Sequence, residues 1–324
     1  MLITEHIRQQ LWKQIILPYK AWRKKCDIVY CNDYFAPYIH LNYTTVQLFH
    51  DAFFFEYPEY CNRIWLQLFK RIAIPAAKRS AFIITPTEYA RQRVQHFTGI
   101  AAEKMIAIHQ GPKTIPLSHN PASMPNWLPV QQGLPYILHV GVLEKRKNLT
   151  NLLKAFQLFQ QAGNASFKLV LAGKGNGKIH SDDTSNILQT IQDLQLQNEV
   201  IMPGYLPDEL LSIVYKNATC YVFPSINEGF GIPILEAFQF GIPVMVSNNT
   251  CLPEVGADAV LSFDPYDVQE IAQKMHTLVH DATLQKELIE KGTQRLKDFS
   301  WKKTATSLLQ VFEKAVERKA GDRD

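Results

Sequence analysis

The sequence predicts an α/β fold of two Rossmann-like domains with parallel sheets. Three observations carry the prediction. From residue 136 onward, apolar runs of strand length alternate with segments of helical spacing. The chain before residue 112 repeats that alternation in a looser form. Between the two lies Pro112 to Pro135, with five prolines after the first and little periodicity, which reads as an interdomain linker. At 324 residues the chain is long for one core and comfortable for two.

In chain order, CDIVYCN (Cys26 to Asn32), TTVQLFH (Thr44 to His50) and SAFIITPT (Ser80 to Thr87) are the strand-length runs of the first part. A long helical segment, NRIWLQLFKRIAIPAAKR, separates the last two. Past the linker, YILHVGV reads as a buried strand and NLTNLLKAFQLFQQAG as its helix. FKLVLAG is the next strand, and a polar loop leads into TSNILQTIQDLQ. EVIMPGYL, PDELLSIVYKNA, CYVFPS, PILEAFQFG, PVMVSN, AVLSF and DVQEIAQKMHTLVHD continue the alternation. Strands and helices at this pitch imply βαβ units and a parallel sheet covered on both faces. The last segment, SWKKTATSLLQVFEKAVERK, reads as one amphipathic helix capped by Ser300. The expected domains are 1–125, 126–300 and a terminal helix 301–324 that returns toward the first.

Composition narrows the function classes. With 46% hydrophobic and 20% charged residues the chain is an ordinary globular protein. No apolar run reaches the length of a membrane span, and MLITEHIRQQLWKQ lacks the apolar core and cleavage site of a signal peptide. Cytoplasm is therefore the expected compartment. The five cysteines are odd in number and scattered, without CxxC or zinc spacing, and read as reduced thiols. The charge is lopsided: residues 1–125 hold 15 basic against 8 acidic residues, and residues 126–324 hold 19 against 22. A basic first half faces anionic lipid, a phosphorylated acceptor or solvent.

The densest chemistry lies in FPSINEGFGIPILEAFQFGIPVMVS. It starts at the C-terminal end of a strand, where open α/β sheets place ligands. Gly229 and Gly231, with Phe230 between them, allow close backbone approach, and Pro233 suits a first helical turn. The free N–H groups and dipole of that helix end form an anion site, so a diphosphate binds there without a metal. Glu228 precedes the turn and Glu236 follows eight residues on. One carboxylate can reach a sugar while the other accepts bonds from a ribose diol. Dipole stabilisation explains a lone glutamate at a helix start, but not this combination.

The stretch resembles the E-x7-E signature of glycosyltransferase family 4, retaining enzymes of the GT-B fold. VGVLEKRKNLTNLLKAF resembles the family's phosphate-binding strand, loop and helix, SNNTCLPEVGADAV its segment after the second glutamate, and the helix with Trp301 its terminal helix. The resemblance implies a donor nucleotide sugar, with Lys147 and neighbouring Arg146 on the diphosphate and Leu206 where the backbone receives the base. Val142 stands where strongly basic members carry an arginine. His50–Asp51 matches the family's HD dipeptide, which places His50 near the donor sugar; Thr87–Glu88 resembles a second cleft-facing loop or is simply a helix cap. No D-x-D pair of the kind that holds Mg²⁺ on a nucleotide sugar is present, and Asp182–Asp183 reads as a solvated loop pair, so no metal cofactor is expected.

The resemblance implies a metal-independent, retaining transfer of a sugar, mannose by the look of this branch, to a glycan or lipid-linked acceptor. Glu228 holds sugar hydroxyls in a front-face displacement or acts as a nucleophile. Against the family's pattern, about two βα units, on the order of 60 residues, are expected to be missing ahead of CDIVYCN, which would shorten the first domain. A naturally short enzyme, a truncated reading, or a partner that completes the sheet would each account for this. The alternative function is a non-catalytic GT-B-like partner protein that binds a sugar nucleotide; a sugar-nucleotide epimerase on the same architecture is a third. Peripheral contact with the inner membrane face is expected through the basic segment Asn62–Ser80, unless that is a domain helix with a basic outer face.

Overall fold

Among the described residues, ten parallel strands form two sheets. The computed structural model describes residues 3–116 and 124–321, so residues 117–123 of the expected linker lie outside the described residues. The chain divides into one unit of Met1–Gly111 with Ser300–Asp324 and a second of Pro112–Phe299.

In the first unit β1 (Ile28–Cys31), β2 (Thr44–Leu48), β3 (Phe82–Thr85) and β4 (Met105–Ala107) lie side by side in sequence order. All three pairings are parallel. Alternation sends the two faces of each strand to different cores. Val46, Phe82 and Ile84 pack with Val311 and Ala315 of the terminal helix Trp301–Gly321. Ile83 faces a cluster dense in aromatics, with Phe49, Phe54 and Phe69. Ser300 Oγ accepts the Lys303 N–H at 3.1 Å, the expected cap.

Two helices of this unit run through prolines. Trp12–Ile16 and Phe69–Ala73 each wind as a π turn, and each is followed two residues later by a proline, Pro18 and Pro75. A proline offers no N–H to the carbonyl four residues back and crowds it. The wider π turn shifts the register around that missing bond, and the helix continues. In the second of these helices Leu66 and Phe69 are buried in the core, with Trp65 and Leu68 packed against it. Arg63, Ile64, Lys70, Arg71, Lys78 and Arg79 face outward. The first helical stretch, by contrast, leaves Ile7, Leu11, Trp12, Ile15, Tyr19 and Trp22 exposed.

The second unit holds β5 (Tyr136–Val140), β6 (Lys168–Ala172), β7 (Val200–Gly204), β8 (Cys220–Phe223), β9 (Val244–Ser247) and β10 (Leu261–Phe263). Their spatial order is β10-β9-β8-β5-β6-β7. From β5 the chain winds outward through β6 and β7; it then returns to β8 and winds the other way. The reversal falls between β5 and β8, and a crevice opens outside the C-terminal ends of strands at such a point. Helix Leu149–Phe159 buries Leu152, Leu153, Phe156 and Phe159 on the sheet, with Ile271, Met275 and Leu278 of helix Val268–His280 in the same core.

Candidate functional site

The loops that leave β5 and β8 at the reversal point are tied together. The Ile226 N–H donates to the Arg146 carbonyl at 2.8 Å. Asn249 Nδ2 donates to the Ile226 carbonyl at 3.0 Å, and Cys251 Sγ lies 3.1 and 3.2 Å from the carbonyl oxygens of Glu228 and Phe230. These bonds fix a loop that has no regular structure of its own.

Three predicted site residues meet there. Glu228 is buried, with Oε1 at 2.7 Å from Lys147 Nζ and Oε2 at 2.6 Å from Arg146 Nη1. Burial pushes its carboxyl up, but Arg146 and Lys147 overcome that and hold it at about 2. Lys147, 5% exposed, ends the short 3₁₀ turn Lys145–Lys147 and lies over the Phe223 ring, 4.6 Å from its centre. Arg146 also donates to Glu144 Oε2 at 2.8 Å. The two cations expected on a diphosphate thus converge on the glutamate expected at the sugar.

The glycine-rich turn comes next. Gly231 has φ +106° and caps the eight-residue helix Ile232–Gln239, with Pro233 in its first turn. A Cβ at Gly231 would stand 3.1 Å from Leu252 Cδ2, so both conformation and space select glycine. The Phe230 side chain is buried and packs edge-to-face on Phe299, at 5.9 Å between ring centres; it anchors the turn whose backbone carries Gly229 and Gly231. Glu236 is buried on the same helix and accepts the Tyr215 hydroxyl at 2.9 Å. Burial raises its pKa, with the Tyr215 bond and the Lys113 charge pulling it back only in part.

Beside this cluster lies a cavity of about 400 Å³, lined by Val140, Gly141, Gly173, Lys174, Tyr205 and Leu206 among others. Leu206 is buried, while Tyr205 before it is 68% exposed. The cavity depends on two glycines that sequence reasoning passed over. Gly173 has φ +147°, and a Cβ there would stand 1.8 Å from the Gly141 carbonyl oxygen. A glycine directly after each of two strand ends, in LAG and HVG, was the available signal.

His139 was also missed. It is fully buried in β5, with Nδ1 3.0 Å from the Val222 carbonyl and the ring stacked on Tyr221. Burial first, and the Lys147 charge second, push its pKa to about 4, so the imidazole is neutral. Nε2 has no hydrogen-bond partner and lies on the side of Gly141, 3.2 Å from where that residue's Cβ would be.

Asp182–Asp183 is a correction: the pair is structured rather than solvated. Asp182 accepts the Gly177 N–H at 2.7 Å and the Thr184 N–H at 2.9 Å, and Asp183 is buried and bonded to Asn186. Asp182 thus satisfies backbone N–H groups of a tight loop at a helix start, and Asp183 accepts from the Asn186 side chain. Among the described residues no group of three or more His, Cys, Asp or Glu side chains is arranged to hold a metal.

In the first unit, His50 stands two residues beyond β2, with Nε2 3.2 Å from the Asn32 carbonyl and the ring edge-to-face with Tyr34. Asp51 accepts the Tyr34 hydroxyl at 3.0 Å and the Phe53 N–H at 3.3 Å. Thr87 Oγ1 accepts the Ala90 N–H at 3.1 Å, and Glu88 forms a two-pronged pair with Arg91. Those two residues do what a helix cap and its neighbour do.

Comparison with known proteins identifies the family and the fold. A family model described as Glycosyltransferase Family 4 matches residues 4–114, and one described as Glycosyl transferases group 1 matches residues 125–295. O-antigen chain mannosyltransferase B of Escherichia coli is 29% identical over 95% of this chain and 77% of its own length. The serotype-specific mannosyltransferase WbdA of the same organism is 29% identical over 76% of this chain, which spans only 29% of that longer protein. Among solved structures, Anabaena Alr3699/HepE in complex with UDP and glucose superposes with a TM-score of 0.75 at 18% identity, over 92% of this chain and 81% of that one. The fold, two Rossmann-like units with parallel sheets, is therefore GT-B, as expected. With more than half of its length matched by that second family model, the chain belongs to the glycosyl transferases group 1 and is a glycosyltransferase.

Proposed function

We propose that this glycosyltransferase is a retaining mannosyltransferase that uses a nucleoside-diphosphate sugar and acts on a glycan or lipid-linked acceptor in polysaccharide assembly. The observation that carries the reading is the buried Arg146–Lys147–Glu228 cluster at the reversal point, beside a cavity of about 400 Å³. An anion arriving at the N-terminus of helix Ile232–Gln239 competes with Glu228 for the two cations. As the donor diphosphate takes Lys147 and Arg146, Glu228 is released to accept hydrogen bonds from sugar hydroxyls. Charge building on the departing diphosphate is then met by the two cations and by backbone N–H groups around Gly229–Gly231, fixed in place before reaction. Glu236, oriented by Tyr215, accepts from the ribose diol, and Leu206 lies beside the base. Retention takes a front-face path in which the acceptor approaches from the side the diphosphate leaves.

Because these groups supply the positive charge, transfer needs no divalent metal in this reading. The similarity to mannosyltransferases supports mannose as the sugar. The enzyme works at the cytoplasmic face of a membrane and touches it through the exposed Ile7, Leu11, Trp12, Ile15, Tyr19 and Trp22. Sedimentation with anionic vesicles that is unchanged in Ile15→Glu would remove that part.

The central test is a donor screen by thermal shift and by sugar transfer, with and without EDTA, on wild type and Glu236→Ala. Stabilisation by a mannose nucleotide, loss of it in the variant, and EDTA-resistant transfer are expected. No stabilisation by any nucleotide sugar would sink the donor site, and binding without turnover would favour the non-catalytic partner protein.

A further inference from the structure

Glu144 stands between β5 and the turn Lys145–Lys147, and both of its carboxylate oxygens are engaged. Oε2 accepts from Arg146 Nε at 2.8 Å, and Oε1 accepts from Asn176 Nδ2 at 2.6 Å. On its other side Arg146 reaches Glu228 Oε2 through Nη1 at 2.6 Å and donates to the Asn227 carbonyl at 3.3 Å. Asn176, Glu144, Arg146 and Glu228 thus form one line of contacts from the loop after β6 to the loop after β8. Asn176, with Lys174 and Gly175, also lines the cavity of about 400 Å³ beside the cluster.

The far end of this line is fixed. Asn176 Oδ1 accepts the Lys178 N–H at 2.8 Å, which sets the amide so that Nδ2 faces Glu144, and Nδ2 also donates to Ser181 Oγ at 2.9 Å. The backbone is joined along the same seam. Leu143 N–H donates to the Lys174 carbonyl at 3.1 Å, Lys145 N–H to the Ser181 carbonyl at 3.0 Å, and Asp183 N–H to the Leu143 carbonyl at 3.0 Å. An ordinary surface ion pair does not account for Glu144. Such a pair contributes little, whereas this carboxylate is largely buried and gives its second oxygen to a side chain from a different βα loop. With Nε held, the planar guanidinium presents Nη1 to the crevice. One carboxylate therefore meets Arg146 from behind and another from the crevice.

We propose that Glu144 and Asn176 are positioning residues that keep the Arg146 guanidinium aimed at the donor diphosphate once Glu228 has given it up. This rests on the reading that the diphosphate takes Lys147 and Arg146 from Glu228. An arginine released from one partner keeps its direction only if another still holds it, and a charged donor acts on a developing charge only while it is aimed. The loop after β6 is then part of the donor site through Arg146.

The test uses the fact that both partners of Glu144 are donors. Glu144→Gln keeps the shape but sets an NH₂ group against one of them. Charge alone predicts that losing an anion beside Arg146 tightens diphosphate binding; positioning predicts the opposite. UDP and GDP are titrated by calorimetry, and the tighter binder is carried into the variants. Affinity should fall about tenfold in Glu144→Gln, the scale of one charged hydrogen bond, and about fivefold in the milder Asn176→Ala, the scale of an ordinary one. Glu144→Gln/Asn176→Asp exchanges donor and acceptor across the contact at unchanged net charge. The new amide accepts from Arg146 and donates to the new carboxylate, which can still accept the Lys178 N–H and can take the Ser181 hydroxyl proton. Affinity should return to within about twofold of wild type. Far-UV melting run alongside separates the two roles, because a part confined to packing lowers the melting temperature and leaves the affinity of the folded protein alone. Unchanged or tighter binding in the folded single variants, or a double variant as weak as Glu144→Gln, overturns the proposal while the donor site stands. A wild type that binds neither diphosphate overturns both, because the donor-site reading itself then fails.

Discussion

Glu228→Gln removes the carboxylate that bonds both Lys147 and Arg146, with little change in shape. In the wild type that carboxyl is held at about 2 against an ordinary 4.5. At about 1.4 kcal/mol per pH unit, the drop corresponds to about 3 kcal/mol in favour of the charged, folded state. Breaking one partner out of a buried ion pair gives a similar figure, about 3–5 kcal/mol. The sign comes from linkage. A carboxyl whose folded pKa lies below its unfolded one contributes its full stabilisation above about 4.5 and loses it as pH falls toward about 2. Urea unfolding followed by circular dichroism should therefore place Glu228→Gln about 3 kcal/mol below wild type at pH 7, with a gap that narrows below pH 4.5. Nucleoside-diphosphate affinity should hold or rise, because neither cation is then held by Glu228, while sugar transfer drops on the order of 10²-fold. Equal stability at pH 7, or a deficit that stays constant into acid, would refute the ion-pair account. Weakened diphosphate binding in the variant would refute the exchange of partners.

Three further substitutions probe the same crevice. Lys147→Met should weaken nucleoside-diphosphate binding by roughly tenfold to a hundredfold, the effect of one lost charged hydrogen bond, and calorimetry with unchanged affinity would remove Lys147 from the diphosphate. Tyr215→Phe takes away the bond that partly offsets the burial of Glu236, so its pKa should climb further. Nucleotide affinity would then fall off at a higher pH than in wild type as pH is lowered, and superimposable affinity–pH curves would count against a role for the ionised carboxylate. Gly173→Ala cannot be accommodated without moving the Gly141 backbone, whose carbonyl oxygen is 1.8 Å from the new Cβ. A loss of about 3 kcal/mol or more is expected, and a wild-type melting temperature would show that the close approach at the cavity floor is not required.

Much of the fold was legible because its signals are local. Strands and helices follow periods of about 2.0 and 3.6 residues that any short window displays. The caps at Thr87 and Ser300 and the turn at Gly231–Pro233 involve residues only a few positions apart. The E-x7-E stretch was legible for the same reason, since one loop and the helix after it carry the whole motif. The helical segment around Pro75 was expected to run through that proline, but the π turn that permits it was not, because apolar spacing does not record backbone register.

What only the tertiary structure decided involves partners far apart in the chain. Lys147 and Glu228 are 81 residues apart and meet because β5 and β8, although not consecutive, are neighbours in the sheet. Tyr215 reaches Glu236 from another helix, and the Gly141 carbonyl excludes a side chain at Gly173 through the contact of two adjacent strand ends. Asp182 looked solvated because its partners are backbone N–H groups, which a sequence does not display, and Asp183 because only folding buries it. The sequence by itself determined which segments are strands and helices and which short stretch resembles a donor site. Strand order determined what each charge faces, because a side chain's electrostatic environment is set by distance through space, and folding makes that unrelated to distance along the chain.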